Sequence, residues 1–119
     1  MMYIVMFVSK NVEQASDVLQ VWVKAGVDGV TILESAGMHQ VMKQRGIHDD
    51  IGIFASLNSL MRAQEIHHRT LFSAVRDEAM LDKVVDATTD YVGDWAKPDV
   101  GVLFVWPLVQ AYGMDKRFK

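Results

Sequence analysis

The sequence predicts an α+β domain of the ferredoxin-like kind, βαββαβ, with an antiparallel sheet, two helices on one face and a long excursion between the second and third strands. Three observations predict it. Apolar runs of strand length open and close the chain, at residues 2–8 and 100–106. Two segments with helical spacing, each followed by glycine, stand between strand-like runs. Residues 38–69 separate the second strand from the third, too long a stretch for an ordinary connection in a compact domain.

Residues 2–8 are a continuous apolar run rich in Val, Ile, Tyr and Phe, the pattern of a strand buried on both faces. Asn11 suits a helix N-cap, with Gln14 in the capping-box position three residues on. Val12, Ala15, Leu19, Trp22 and Val23 then fall near helical spacing, with Asp17 and Lys24 elsewhere on the surface. Gly26 ends this helix, Asp28-Gly29 is a turn, and residues 30–34 are a strand that extends toward Ala36. Residues 70–76 form the third strand, with Leu71, Ser73 and Val75 on one face and Phe72 and Ala74 on the other. Asp77 caps the second helix. Its apolar stripe is Met80, Val84, Ala87 and Tyr91, flanked by Leu81, Val85 and Thr88, and Gly93 ends it. Residues 94–99 are a loop broken by Pro98, and residues 100–106 are a strand apolar on both faces that Pro107 stops. Two helices cover one sheet face only. A second copy of the chain is the cheapest cover for the other.

The excursion has two halves. Residues 39–50 are polar, with Lys43, Arg45, His48, Asp49 and Asp50. Residues 51–54 suit a short strand, and Leu57, Leu60, Met61 and Ile66 suit a short helix. With apolar groups at nearly half its positions, the stretch 51–66 is expected to be ordered, and the polar half to be the mobile part.

The 119 residues suit one domain with a sizeable core, half of them being hydrophobic. A net charge of −3, with no clustering of basic residues, argues against a general nucleic-acid binder. The absence of cysteine excludes disulfides and thiolate metal sites and fits a reducing, cytoplasmic compartment. The first apolar run lacks a basic n-region and a small-residue cleavage site, so it reads as a strand and not as a signal peptide. No apolar run is long enough to span a bilayer, so the chain is not expected to be an integral membrane protein.

Two stretches carry a resemblance. Ala25-Gly26-Val27-Asp28-Gly29-Val30-Thr31, followed by Glu34 and Gly37, is the sharper. Gly101-Val102-Leu103-Phe104-Val105-Trp106-Pro107 is the second. At this separation, and around this element order, they resemble the PII signalling family of nitrogen regulatory proteins and the wider PII-like superfamily. The resemblance covers nearly the whole chain. It implies a homotrimer whose sheets line a central core, and a long loop, here about residues 38–69, that touches a partner protein. It also implies a small-molecule ligand, in many members an adenine nucleotide, in the cleft between subunits. Residue by residue, Thr31, Gly37 and Gly101 match nucleotide-facing positions, and Met38 and His39 stand at the loop opening, His39 where the family has a glycine. The family's last-strand lysine is Val102 here, and its two arginines beyond the terminal proline fall at Gly113 and Asp115. Such cations hold phosphates, so their loss predicts weak ATP binding, unless Lys97, Lys116 or Arg117 substitutes.

The remaining polar residues have ordinary readings beside sharper ones. His39, His48, His67 and His68 lack any metal-ligand spacing and read as polar or interface histidines. Asp49-Asp50 has no EF-hand loop around it and reads as solvated. Trp22 and Trp106 suit the core or a subunit interface, whereas Trp95, at the resemblance's ligand cleft, suits either stacking on a ring or loop packing. Ser9, Ser56 and Ser59 have no nucleophile motif near them. No catalytic residue and no metal ligand is assigned. The favoured expectation is a trimeric, non-enzymatic ligand sensor that signals through its long loop. The alternative is a small enzyme on a dimeric ferredoxin-like α/β barrel, and the fold alone does not choose between them.

Overall fold

The computed structural model describes residues 1–35 and 68–114. Strand β1 is Tyr3–Val8, helix α1 Val12–Ala25, strand β2 Thr31–Ser35, strand β3 His68–Val75, helix α2 Glu78–Val92 and strand β4 Val102–Pro107. The four strands form one antiparallel sheet in the order β2-β3-β1-β4, with β1 paired to both β3 and β4. The βαββαβ order and the antiparallel sheet expected from the sequence are therefore present. The expected strand at 51–54, the helix at 57–66, and His67, Lys116 and Arg117 lie outside the described residues. His68 and Arg69, read from sequence as the end of the excursion, already belong to β3.

The caps explain the helix limits. Asn11 is extended and its Oδ1 accepts from the Gln14 N–H at 2.8 Å; Asp77 does the same for the Met80 N–H at 2.9 Å. Gly26, at φ +108, closes α1 in the left-handed region, where a side chain is costly. The capping box differs from expectation. The Gln14 side chain accepts from the Lys10 N–H, not from that of its cap residue.

One face of the sheet carries the core. Val5, Phe7, Leu71 and Val75 meet Ala15, Val18 and Trp22 of α1 and Val84 of α2. Trp22 is fully buried, and its indole N–H donates to Thr88 Oγ1 at 2.9 Å; that hydroxyl donates on to the Val84 carbonyl. The α1 stripe runs through Ala15, Val18 and Trp22. Val12 and Val23 sit at the margins of that arc, 44% and 58% exposed, a correction to the sequence reading. Tyr91 likewise lies at the end of its stripe, where its hydroxyl donates to Asp17 across the helix pair.

The second face has no helix over it. Strand alternation and register place Ile4, Met6, Phe72, Phe104, Trp106 and Leu33 there. Leu33 and Phe104 are each 50% exposed and Trp106 40%. Of the two strands apolar on both faces, β1 is thus buried on one face only within this chain, and β4 on neither, Leu103 alone on it being half-buried. Among the described residues no helix is long and apolar enough to cross a membrane.

Candidate functional site

The expected ligand residues fall into two groups on opposite edges of the sheet. Thr31 opens β2, at one edge, and pairs with Phe72 of β3. Trp95, Lys97 and Gly101 belong to the connection before β4, at the other edge. Three strand spacings separate these edges, roughly 14 Å. One chain therefore does not bring Thr31 to Gly101. Gly37, Met38 and His39 lie outside the described residues.

At the β4 edge the helices stop short of the last strand. An open cleft of about 510 Å³ remains, lined by Val85, Thr89, Trp95, Gly101, Leu103 and Val105, with Val102 at its rim. Trp95 forms its wall. The indole packs at a tilt on Phe7, with centroids 6.4 Å apart, and its N–H donates to Thr89 Oγ1 at 3.1 Å. Its hydrogen-bond donor is thus engaged within the chain. Lys97 is exposed on the loop. Gly101 has φ +83, and a Cβ there would lie 2.6 Å from Phe7 Cζ and 2.9 Å from the Val8 carbonyl oxygen. Close packing against β1 therefore demands a glycine by itself. Val102, where the resemblance has a lysine, is 47% exposed.

Charged groups gather at the end of the sheet from which the excursion leaves. Lys10 Nζ lies 2.5 Å from Asp99 Oδ1, and Arg69 Nη1 lies 3.2 Å from Glu34 Oε1. Ser9 is buried, and its hydroxyl donates to the Arg69 carbonyl at 2.8 Å while accepting from the Arg69 N–H at 3.0 Å. Ser9 is thus a structural link between β1 and β3. His68 begins β3 opposite Ser35 of β2. Burial, and then the Lys10 charge, push its pKa below the ordinary histidine value. Among the described residues no group of three or more His, Asp or Glu is placed to hold a metal ion.

Sequence reasoning missed Lys10, Gln14 and Asp99 as neighbours. Gln14 Oε1 accepts from the Lys10 N–H at 2.7 Å, and its Nε2 donates to the Val100 carbonyl at 3.1 Å. This amide ties the start of α1 to the start of β4. The cap pattern at Gln14 was the one signal in the sequence. Nothing there joined residue 10 to residue 99.

No family model matches the sequence, and no curated protein matches it. The fold does match solved structures. The Bacillus subtilis GlnK–ATP complex aligns at TM-score 0.53 with 16% identity, covering 90% of this chain and 81% of that one. Arabidopsis thaliana PII bound to citrate aligns at 0.56 with 14% identity, covering 90% and 77%. Bacillus subtilis GlnK aligns at 0.55 with 14% identity, covering 91% and 85%. An α+β sheet in this order, with two helices on one face and these structural neighbours, has the PII-like fold.

Proposed function

We propose that this chain is a PII-like, non-enzymatic ligand sensor that works as a cytoplasmic homotrimer. One observation carries the reading: the expected ligand residues stand on opposite edges of a sheet whose second face is apolar and uncovered. A neighbouring copy that covers this face and sets its β2 edge beside the β4 edge of the first brings Thr31 of one chain to Trp95, Lys97 and Gly101 of the other. The site is then inter-subunit, and the segment 38–69 starts beside it. Gly37, Met38 and His39 belong to the same site in this reading, and the partner protein reads the segment that follows them.

The neighbours supply ligands to try. GlnK was solved with ATP and PII with citrate. For this chain ATP is the weaker candidate, because Val102, Gly113 and Asp115 stand where the family has cations. Each charged contact to phosphate contributes about 1.5–3 kcal/mol, so losing two or three lowers affinity by several powers of ten at about 1.4 kcal/mol per tenfold. Light scattering tests the assembly, with a mass three times that of the chain expected. A mass twice that of the chain favours the dimeric barrel enzyme, and a stable monomer at micromolar concentration overturns both. Calorimetry tests the site. A micromolar dissociation constant for ATP would show that other cations have taken over.

A further inference from the structure

The cleft beside β4 has the electrostatics of a site that turns anions away. Its floor is the helix face of the strand, where Leu103 stands opposite Phe7 and Val105 opposite Val5. Its wall is Val85 and Thr89, one turn apart on α2, and Trp95 closes one end against Phe7. Among the described residues no lining side chain is charged. Thr89 is the polar one, and its oxygen already accepts from the Trp95 indole. About 510 Å³ is the volume of a small-molecule site, and this lining offers apolar contact and a ring face.

Carboxylates border it. On α2, Asp82 precedes Val85 by three residues and Asp86 precedes Thr89 by three, so these two exposed groups flank the wall on its solvent side. At the end away from Trp95, Tyr3 lies on the same sheet face as Val5, and its hydroxyl donates to Glu78 Oε1 at 3.0 Å. That hydrogen bond, then burial, then the charges of Glu78 and Asp82 hold the Tyr3 pKa above the ordinary tyrosine value, the mark of a negative potential. Lys97, on the loop that carries Trp95, is exposed and does not line the cleft.

We infer that the β4 cleft takes a small apolar ring compound that carries no negative charge. Such a ring gains from Val85, Leu103, Val105 and Trp95, and needs no hydrogen bond from a donor that Thr89 already holds. An ammonium on the same ring gains further from Asp82 and Asp86, whereas a carboxylate or phosphate there meets like charge with no cation in the lining to offset it. ATP and citrate, both polyanions, are therefore the wrong class for this cleft. The inference names the ligand class of the proposed sensor and rests on that reading for its purpose. It does not rest on subunit number, since every residue it uses belongs to one chain.

The test is a charge series on one ring: indole, neutral; tryptamine, cationic; and indole-3-acetate, anionic. Each is titrated into the full chain at pH 7 and constant ionic strength, and the amide and indole N–H shifts are followed. Indole should shift Val85, Thr89, Trp95 and Leu103 saturably. Tryptamine should bind at least as tightly, and indole-3-acetate about tenfold more weakly than indole, the effect of like charge nearby in partly screened surroundings. Asp82→Asn combined with Asp86→Asn should narrow the gap between tryptamine and indole-3-acetate. Should that variant fail to fold, added salt should narrow the same gap in the wild-type protein. Indole-3-acetate bound as tightly as tryptamine, a gap that neither the variant nor salt changes, or no binding of any of the three overturns the inference. Shifts confined to Ile4, Met6, Phe104 and Trp106 overturn it too, because they place the ring on the uncovered sheet face. Light scattering on the same samples separates the two readings. Ring binding by a chain that is not a trimer sinks the assembly alone, and a trimer that binds none of the three sinks this inference alone.

Discussion

Gly101 and Gly93 both have positive φ, yet the structure asks different things of them. A Cβ at Gly93, φ +88, meets nothing within 4 Å, whereas at Gly101 it collides with Phe7 and the Val8 carbonyl. Gly93→Ala should therefore cost only the backbone strain of a sparsely populated conformation, φ +88 and ψ −85, about 1–3 kcal/mol. Gly101→Ala should add an overpacking cost of about 1–3 kcal/mol. Urea unfolding of the two variants checks the difference, and equal losses would mean that the β1 contact yields freely. His68 gives a pH dependence. Its folded pKa is depressed below an unfolded value of about 6.5, so the unfolded chain takes up the proton more readily. Stability is then full above about pH 6.5, falls as pH drops from there toward the folded pKa, and levels off below it. His68→Gln should flatten the thermal-melting profile between pH 7.5 and 5.5, with Lys10 still facing the site. At this scale the caps were legible, because Asn11, Asp77 and Gly26 act through neighbours three or four residues away. The Lys10–Asp99 pair and the glycine demand at position 101 were not, because they join residues far apart in the chain and exist only once β4 lies beside β1.

The two helices are built to different standards. α1 has Glu13 in its first turn and Lys24 in its last, both favourable to the helix dipole. α2 has Glu78 in its first turn and no base in its last, and Glu78, Asp82, Asp86 and Asp90 repeat every fourth residue. Like charges at this spacing oppose each other, and Asp90 also faces the negative end of the dipole. Asp90→Lys should raise stability by about 0.5–1 kcal/mol, visible as a higher urea midpoint at low salt that shrinks as salt is added. No gain at low salt would mean that another charge already balances Asp90. Strand and helix identity were legible from periodicity, as in Leu71, Ser73 and Val75, all buried as their alternation required. The α1 stripe was less so. Val18 was passed over for Val12 and Val23, because several apolar residues crowd the helix and only the partner sheet selects which arc is covered.

At the scale of the whole molecule, the uncovered sheet face is the dominant feature. Phe104 is half exposed on this face, at mid-length of the edge strand β4. Phe104→Glu should therefore leave the fold of a single chain intact while placing a charge in the proposed contact. Light scattering should show loss of the trimer, and circular dichroism should show an unchanged secondary structure. A trimer that survives the substitution would place the contact elsewhere. The sequence announced an apolar second face but not which residues share a site, because that depends on strand order. With β2 and β4 on opposite edges, two motifs that look like halves of one pocket are kept apart in each chain.

The position of β1 has a consequence for how the chain comes off the ribosome. It is made before the other three strands, yet it lies in the interior of the sheet, and both of its hydrogen-bonding neighbours are made later. β3 begins at His68 and β4 at Val102, on the far side of the excursion. Until those stretches emerge, Tyr3, Ile4, Val5, Met6, Phe7 and Val8 are an unpaired apolar ribbon waiting at the exit tunnel. Pairings of such sequence separation form slowly, since the closure entropy of the intervening chain is lost before the contacts are gained. The nascent chain is thus most prone to clump during the interval between β1 and β4, and a chaperone that shelters an extended apolar segment would act on β1.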